Sequence, residues 1–141
     1  MIILPEHLAA QLKANGLAAA QAEIDPFPVV KFFDPSGAAT WLITEIDPAD
    51  DDHLFGLCDL GLGFPELGYV SLAELKSVKG PLGIGLERDL FFTGKYPLSV
   101  YAEAARAWGR ITEDDDDLRQ AAAALKDAVP PDLPDPGKIN T

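Results

Sequence analysis

The sequence predicts an α+β fold: an antiparallel sheet of four or five strands with helices packed on one face, N- and C-terminal helices and a loose C-terminal tail. Three observations carry that expectation. Short runs rich in β-branched and aromatic residues follow one another between residues 29 and 93, separated by turns of Gly, Pro and Asp. Helical spacing of apolar residues brackets them, with Leu8 and Leu12 on one side and Val100, Tyr101, Ala104, Ala105 and Trp108 on the other. The length of 141 residues, 48% of them hydrophobic and 24% charged, suits one core rather than two. The expected organisation is a single domain over residues 1–129 and a Pro-rich flexible tail at 130–141.

The elements follow in order. Pro5 suits the first turn of a helix that carries Leu8 and Leu12 and stops at Asn15-Gly16, with a further turn or two over residues 18–22. Asp25-Pro26-Phe27-Pro28 forces an extended connection, because each proline restricts the residue before it. Residues 29–33 read as a strand closed by the turn Asp34-Pro35-Ser36-Gly37, and residues 40–46 as its partner. Alternation places Trp41, Ile43 and Glu45 on one face and Leu42, Thr44 and Ile46 on the other. After an acidic loop at 47–52, residues 53–60 complete a three-stranded meander.

Glycines at 61, 63 and 68 and a proline at 65 then sit among bulky side chains, a composition that demands special backbone geometry. Tyr69-Val70 is a brief strand, and Ser71 with Glu74 forms a capping-box signature for a short helix that turns Leu72, Leu75 and Val78 inward. An edge strand over 87–93 and a helix over 98–108 begun by Pro97 follow. The acids at 113–117 open a last helix running to residue 128, where they complement the positive end of its dipole.

Composition excludes several functions. The net charge is −12. Residues 1–28 hold three acids and one lysine, residues 29–111 twelve acids and seven bases, and residues 112–141 eight acids and three bases, so the C-terminal end is the most densely acidic. Such a chain repels phosphates, which disfavours direct nucleic-acid or anionic-membrane binding and favours a protein partner with a basic surface. No run reaches the roughly 18 to 20 apolar residues of a membrane span, and the N-terminus lacks the basic start and small-residue cleavage site of a secretory signal. A cytoplasmic protein is expected. Cys58, the one cysteine, excludes an intramolecular disulfide and a cysteine-based zinc cluster.

Candidate chemistry concentrates at one junction. Asp59 and Glu66 flank the glycine-rich stretch, with Phe64 and Tyr69 beside them, and two converging carboxylates there would hold a divalent cation or work as an acid/base pair. Glu45 and Glu74 are the further carboxylates such a metal would recruit. The structural alternative has Asp59 bonding backbone amides and Glu66 pairing with Lys76 or Arg88. Asp59 with Glu74-Leu75-Lys76 has the order of a nuclease metal motif, but the Glu-x-Lys falls on a helix start instead of a strand. Asp47, Asp50, Asp51 and Asp52 lack the spacing of a calcium loop, and no dinucleotide or Walker fingerprint is present. His53 and Cys58 are an odd number of residues apart, so a strand sends them to opposite faces. No complete catalytic constellation and no cofactor motif emerges.

Ordered blocks carry a resemblance. Pro28-Val29-Val30-Lys31-Phe32-Phe33, Ala39-Thr40-Trp41-Leu42-Ile43-Thr44-Glu45-Ile46-Asp47-Pro48, Phe55-Gly56-Leu57-Cys58-Asp59-Leu60-Gly61, Pro65-Glu66-Leu67-Gly68-Tyr69-Val70-Ser71-Leu72, Gly80-Pro81-Leu82-Gly83 and Glu87-Arg88-Asp89-Leu90 together resemble the bacterial domain-of-unknown-function family 2958 over about residues 4–110. The resemblance implies a small protein of plasmids and mobile elements, encoded near conjugation or anti-restriction genes, and it carries over no catalytic residue. The acidic, Pro-rich end after Ile111 departs from the family pattern. Two readings follow: a non-enzymatic acidic accessory factor of a mobile element that binds a basic protein, such as a host DNA-targeting defence system it inhibits, and, as the alternative, a metal-binding module or metal-dependent enzyme using Asp59 and Glu66.

Overall fold

Residues 40–59 lay down the hairpin on which the rest of the sheet is built. The computed structural model describes residues 2–127. Its elements are α1 (Glu6–Gln21), β1 (Val30–Phe33), β2 (Thr40–Asp47), β3 (Asp50–Asp59), β4 (Glu66–Ser71), α2 (Leu72–Ser77), β5 (Glu87–Arg88), α3 (Leu98–Trp108) and α4 (Asp115–Asp127). The strands form one antiparallel sheet in the order β4-β3-β2-β1-β5. The α+β class and the five-stranded antiparallel sheet are as the sequence predicts. The expected helix end at residue 128 and the tail at 130–141 lie outside the described residues.

The helices divide between the two faces of the sheet instead of sharing one. Trp41, Ile43, Val30, Phe32 and Leu54 pack with Leu12 of α1 and Leu75 of α2, while Leu42 and Leu57 pack with Tyr101, Ala105 and Leu118 of α3 and α4. The reason lies in β2, where Trp41, Leu42 and Ile43 are consecutive and all buried, so both sides of the central strand need cover. Each fully buried Leu, Ile or Phe in these layers contributes about 1.5–3 kcal/mol. The simple alternation expected for β2 also breaks. Its pairing with β3 slips between Ile43 and Glu45, leaving Thr44 as the extra residue and turning Ile46 to the α1 side with Trp41 and Ile43. Thr44 is fully buried, and its hydroxyl bonds the Phe55 carbonyl oxygen at 3.3 Å.

Other boundaries move for local reasons. The acidic loop at 47–52 shrinks to a Pro48-Ala49 turn, because Asp47 accepts from the Ala49 N–H and Asp50 from the Asp52 N–H, at 2.8 and 3.0 Å, and the two strands pair up to Asp47 and Asp50. The brief strand at 69–70 is six residues long in β4. The strand expected over 87–93 is only Glu87–Arg88, since Asp89 accepts from the Phe91 N–H at 2.9 Å and turns the chain away. Ser71 does cap α2, its hydroxyl accepting from the Glu74 N–H at 3.1 Å; Val78 lies past the helix end and stays partly exposed. α3 spans the expected residues and ends at Gly109 with φ of 71°.

α1 is one helix straight through Asn15-Gly16, where the sequence predicts a stop. Asn15 donates its side-chain amide to the Thr44 carbonyl oxygen at 2.8 Å, and Gly16 lies so close to β2 that a Cβ there would stand 1.8 Å from the Ile46 carbonyl oxygen. The glycine is a docking surface for the sheet, not a terminator. A Gly16→Ala substitution, which in an open helix stabilises by about 0.5–1 kcal/mol, should here destabilise by about 1–3 kcal/mol in urea unfolding because backbone has to move.

Candidate functional site

Asp59 ends β3 with its side chain 2% exposed, and both carboxylate oxygens are engaged by backbone. One accepts from the Gly61 N–H at 2.8 Å and the other from the Ile111 N–H at 2.9 Å. The first bond opens the β3–β4 connection, which passes through Gly61 and Gly63 at φ of 81° and 93°, a region glycine enters without steric cost. The second ties the end of β3 to the segment between α3 and α4. The tip of the connection therefore rests against the end of α3, where a Cβ on Gly109 would lie 3.5 Å from the Gly63 carbonyl oxygen.

Glu66 does not join Asp59. Glu66 stands opposite Cys58 across the β3–β4 ladder, and cross-strand partners share a face, so Glu66 projects with Cys58 to the α1 side while Asp59, one residue on, projects to the α3 side. Nor does Glu66 pair with Lys76 or Arg88 among the described residues. Glu45 sits opposite Phe55 on β2, where burial pushes its pKa up against the lowering effect of the Thr44 hydroxyl. Glu74 lies in the first turn of α2 and is exposed. Among the described residues no three His, Cys, Asp or Glu side chains gather as a metal ion requires, so the carboxylates at 45, 59, 66 and 74 are not brought into one centre.

The aromatic members of the junction are on the surface. Phe64 is 82% exposed and Tyr69 56% exposed. Tyr69 stacks on His53 with ring centroids 4.2 Å apart and meets Phe55 edge-on at 5.0 Å. Leu67, opposite Leu57, is 48% exposed, and Leu60 and Leu62 extend the apolar surface around the turn. Between β4 and α3 an open groove of about 420 Å³ has Leu57, Phe64, Pro65 and Leu67 on one side and Ala102 and Arg106 on the other. Phe64, Leu67 and Tyr69 thus form an exposed apolar surface beside an open groove.

The nearby titratable groups serve structure. Burial, reinforced by the Glu66 charge, pushes the Cys58 thiol up to about 11. The hydrogen bond from the Ala49 N–H, then the one to His53, hold the Asp47 carboxyl below its ordinary range; His53 Nδ1 lies 3.1 Å from Asp47 Oδ2. Asp52 is held low by the Ser71 hydroxyl and the Ala73 N–H, so it caps α2 from the adjacent strand.

A family model described as "Protein of unknown function (DUF2958)" matches residues 3–112. The chain belongs to this family. No curated protein and no solved structure gives a match. In this DUF2958 protein the matched region runs from the residue before the first core leucines to Thr112, so it takes in the whole sheet and ends where α4 is about to begin. Sequence reasoning found Phe64 and Tyr69 but missed Leu62, Leu67 and the α3 wall of the groove, because alternating apolar residues read alike on a buried strand and on an exposed edge. The Asp47–His53 pair was missed too, since it forms only once the 47–52 loop closes into a tight turn.

Two outcomes check these roles. Asp59→Asn keeps shape but can offer only one acceptor oxygen, leaving one of the Gly61 and Ile111 amides unpartnered, so urea unfolding should show a loss of about 1–3 kcal/mol. With the thiol at about 11, Cys58 in the folded chain should react with iodoacetamide at pH 8 roughly a hundredfold more slowly than in the unfolded chain, because only the thiolate attacks.

Proposed function

We propose that this chain is a non-enzymatic binding protein that engages a basic protein partner through the β3–β4 hairpin. The observation that carries this reading is the meeting, on one hairpin, of large exposed apolar side chains with charge of a single sign. Leu60, Leu62, Phe64, Leu67 and Tyr69 are exposed, and residues 50–71 contain no lysine or arginine while Asp50, Asp51 and Glu66 are exposed, Asp51 lying 3.7 Å from Lys13. An exposed apolar patch rimmed by like charges supplies buried area for a partner and steers one of opposite sign toward it.

Of the C-terminal acids, those at 113–117 are engaged at the start of α4. Asp114 accepts from the Asp117 N–H at 3.1 Å and caps α4, Thr112 bonds Asp117 at 2.8 Å, Glu113 pairs with Lys31 at 2.6 Å, Asp115 with Lys95 at 3.6 Å, and Asp116 with Arg119. Imitation of DNA would need carboxylates arrayed at phosphate spacing along a face, and these acids instead begin a helix. The reading extends to a cytoplasmic accessory factor of a mobile element, with a host DNA-targeting defence protein as a partner that has the required basic surface.

The test is affinity capture by the full chain from native host cytosol, compared with a Leu62→Ser/Phe64→Ser double variant. A basic partner should bind the parent, bind the variant at least about tenfold more weakly, and weaken as salt rises. Capture of the same partner by the variant with unchanged strength, or of a partner without a basic surface, overturns the reading.

A further inference from the structure

We infer that the partner binds as an added strand: an extended segment in which Lys or Arg alternates with apolar residues pairs with the outer edge of β4. This rests on the hairpin reading above and specifies its mode. β4 ends the sheet, and among the described residues no strand pairs with its outer side. Its ladder with β3 runs in unbroken register from His53 opposite Ser71 to Cys58 opposite Glu66, so the outer edge is straight and its outward-facing amides and carbonyls point away from the sheet. Exposed edges are ordinarily blunted by brevity, proline, lysine or a bulge. The opposite edge follows that rule, since β5 has two residues and Arg88 donates to the Ile3 carbonyl oxygen. The centre of β4 reads Leu67-Gly68-Tyr69-Val70 and has none of these devices.

The side-chain environment matches an incoming strand. Leu67 and Tyr69 stand opposite Leu57 and Phe55 and so project to the α3 side, where the groove opens beside them. Every second residue of an added strand would lie on that side, and apolar ones there would cover Leu67, Tyr69 and Phe64. Arg106, the cation on the groove wall, is paired with Glu103 at 2.6 Å and Lys13 with Asp51 at 3.7 Å, while Glu66, on β4 itself, has no ion-pair partner among the described residues. That charge selects the occupant. Pairing two copies edge to edge would bring together two segments with five acids and no base each, in chains of net charge −12, whereas a Lys- or Arg-bearing strand is attracted.

The test uses the full chain and an eight-residue, end-capped peptide of alternating lysine and valine, beside the same peptide N-methylated at every residue. N-methylation keeps charge and side chains and removes every strand donor. Calorimetry should show the methylated peptide binding at least about tenfold more weakly, with hydrogen exchange of residues 66–71 slowed by the unmodified peptide alone. A Leu67→Lys variant, placed where the side chain is already half exposed, should melt within a few degrees of the parent and lose about tenfold in peptide affinity. Equal binding of the two peptides without protection of β4 overturns the added strand and leaves the basic-partner reading standing. Binding of neither peptide at low salt overturns the added strand, and only the capture experiment then bears on the partner. A concentration-dependent dimer protected at β4 assigns the edge to a second copy and overturns the choice of occupant.

Discussion

A carboxylate taken out of water costs several kcal/mol unless its oxygens are bonded, and at Asp59 two backbone amides from distant parts of the chain do the bonding. One amide starts the β3–β4 connection and the other belongs to the segment leaving α3, so one side chain sets where the hairpin tip lies against the second helical layer. The groove between β4 and α3 exists because those two surfaces are held at that separation. Its floor, Leu57, is two residues before the same aspartate. The buried charge is thus a structural device whose effect is felt at the exposed surface next to it.

Cover on both faces of the sheet restricts where a partner can act. α1 and α2 bury one face of β1, β2 and β3, and α3 and α4 bury much of the other, so the broad faces are consumed by the core. What remains open is at the edges and in the connections. The β5 edge is short and its neighbour Lys31 is drawn into pairs with Asp89 and Glu113 at 3.6 and 2.6 Å, which ties that edge to the base of α4. The β4 edge keeps six residues, a turn of exposed leucines and an adjoining groove. Exposed apolar side chains are thereby left at the sheet edges, around β4 and also at Leu82, Leu90 and Phe91 near β5, and of the two only the β4 edge keeps a long strand with an unpaired outer side among the described residues.

Some of this was legible in the sequence, for physical reasons that differ by element. The strand at 40–46 announces itself by its run of β-branched and aromatic residues, the helix at 98–108 because its apolar side chains satisfy a helical period, and the Ser71 cap because its acceptor and donor lie three residues apart. Features set by distant partners were not legible. Gly16 reads as a helix stop until the Ile46 carbonyl, thirty residues later, shows why no Cβ fits. Asp59 reads as a ligand or a turn residue until the Ile111 amide, 52 residues on, claims its second oxygen. Leu67 and Tyr69 alternate as core residues do, and only their place on the last strand makes them surface.

The same physics bears on how such an edge meets a second copy of itself. An unguarded strand edge beside exposed leucine and phenylalanine is a hazard for any protein, because backbone pairing has no specificity of its own. Here the guard is charge spread along the hairpin, in place of a lysine or proline on the strand. Asp50 lies at one end and Glu66 at the other, both exposed and without an ion-pair partner among the described residues, and like charge at both ends opposes approach of an identical edge over a Debye length of about 8–10 Å at physiological salt. A guard of that kind is conditional. Under the added-strand proposal it would repel acidic edges, this chain's own included, and attract a basic strand, so one feature would both oppose self-pairing and define what the edge accepts.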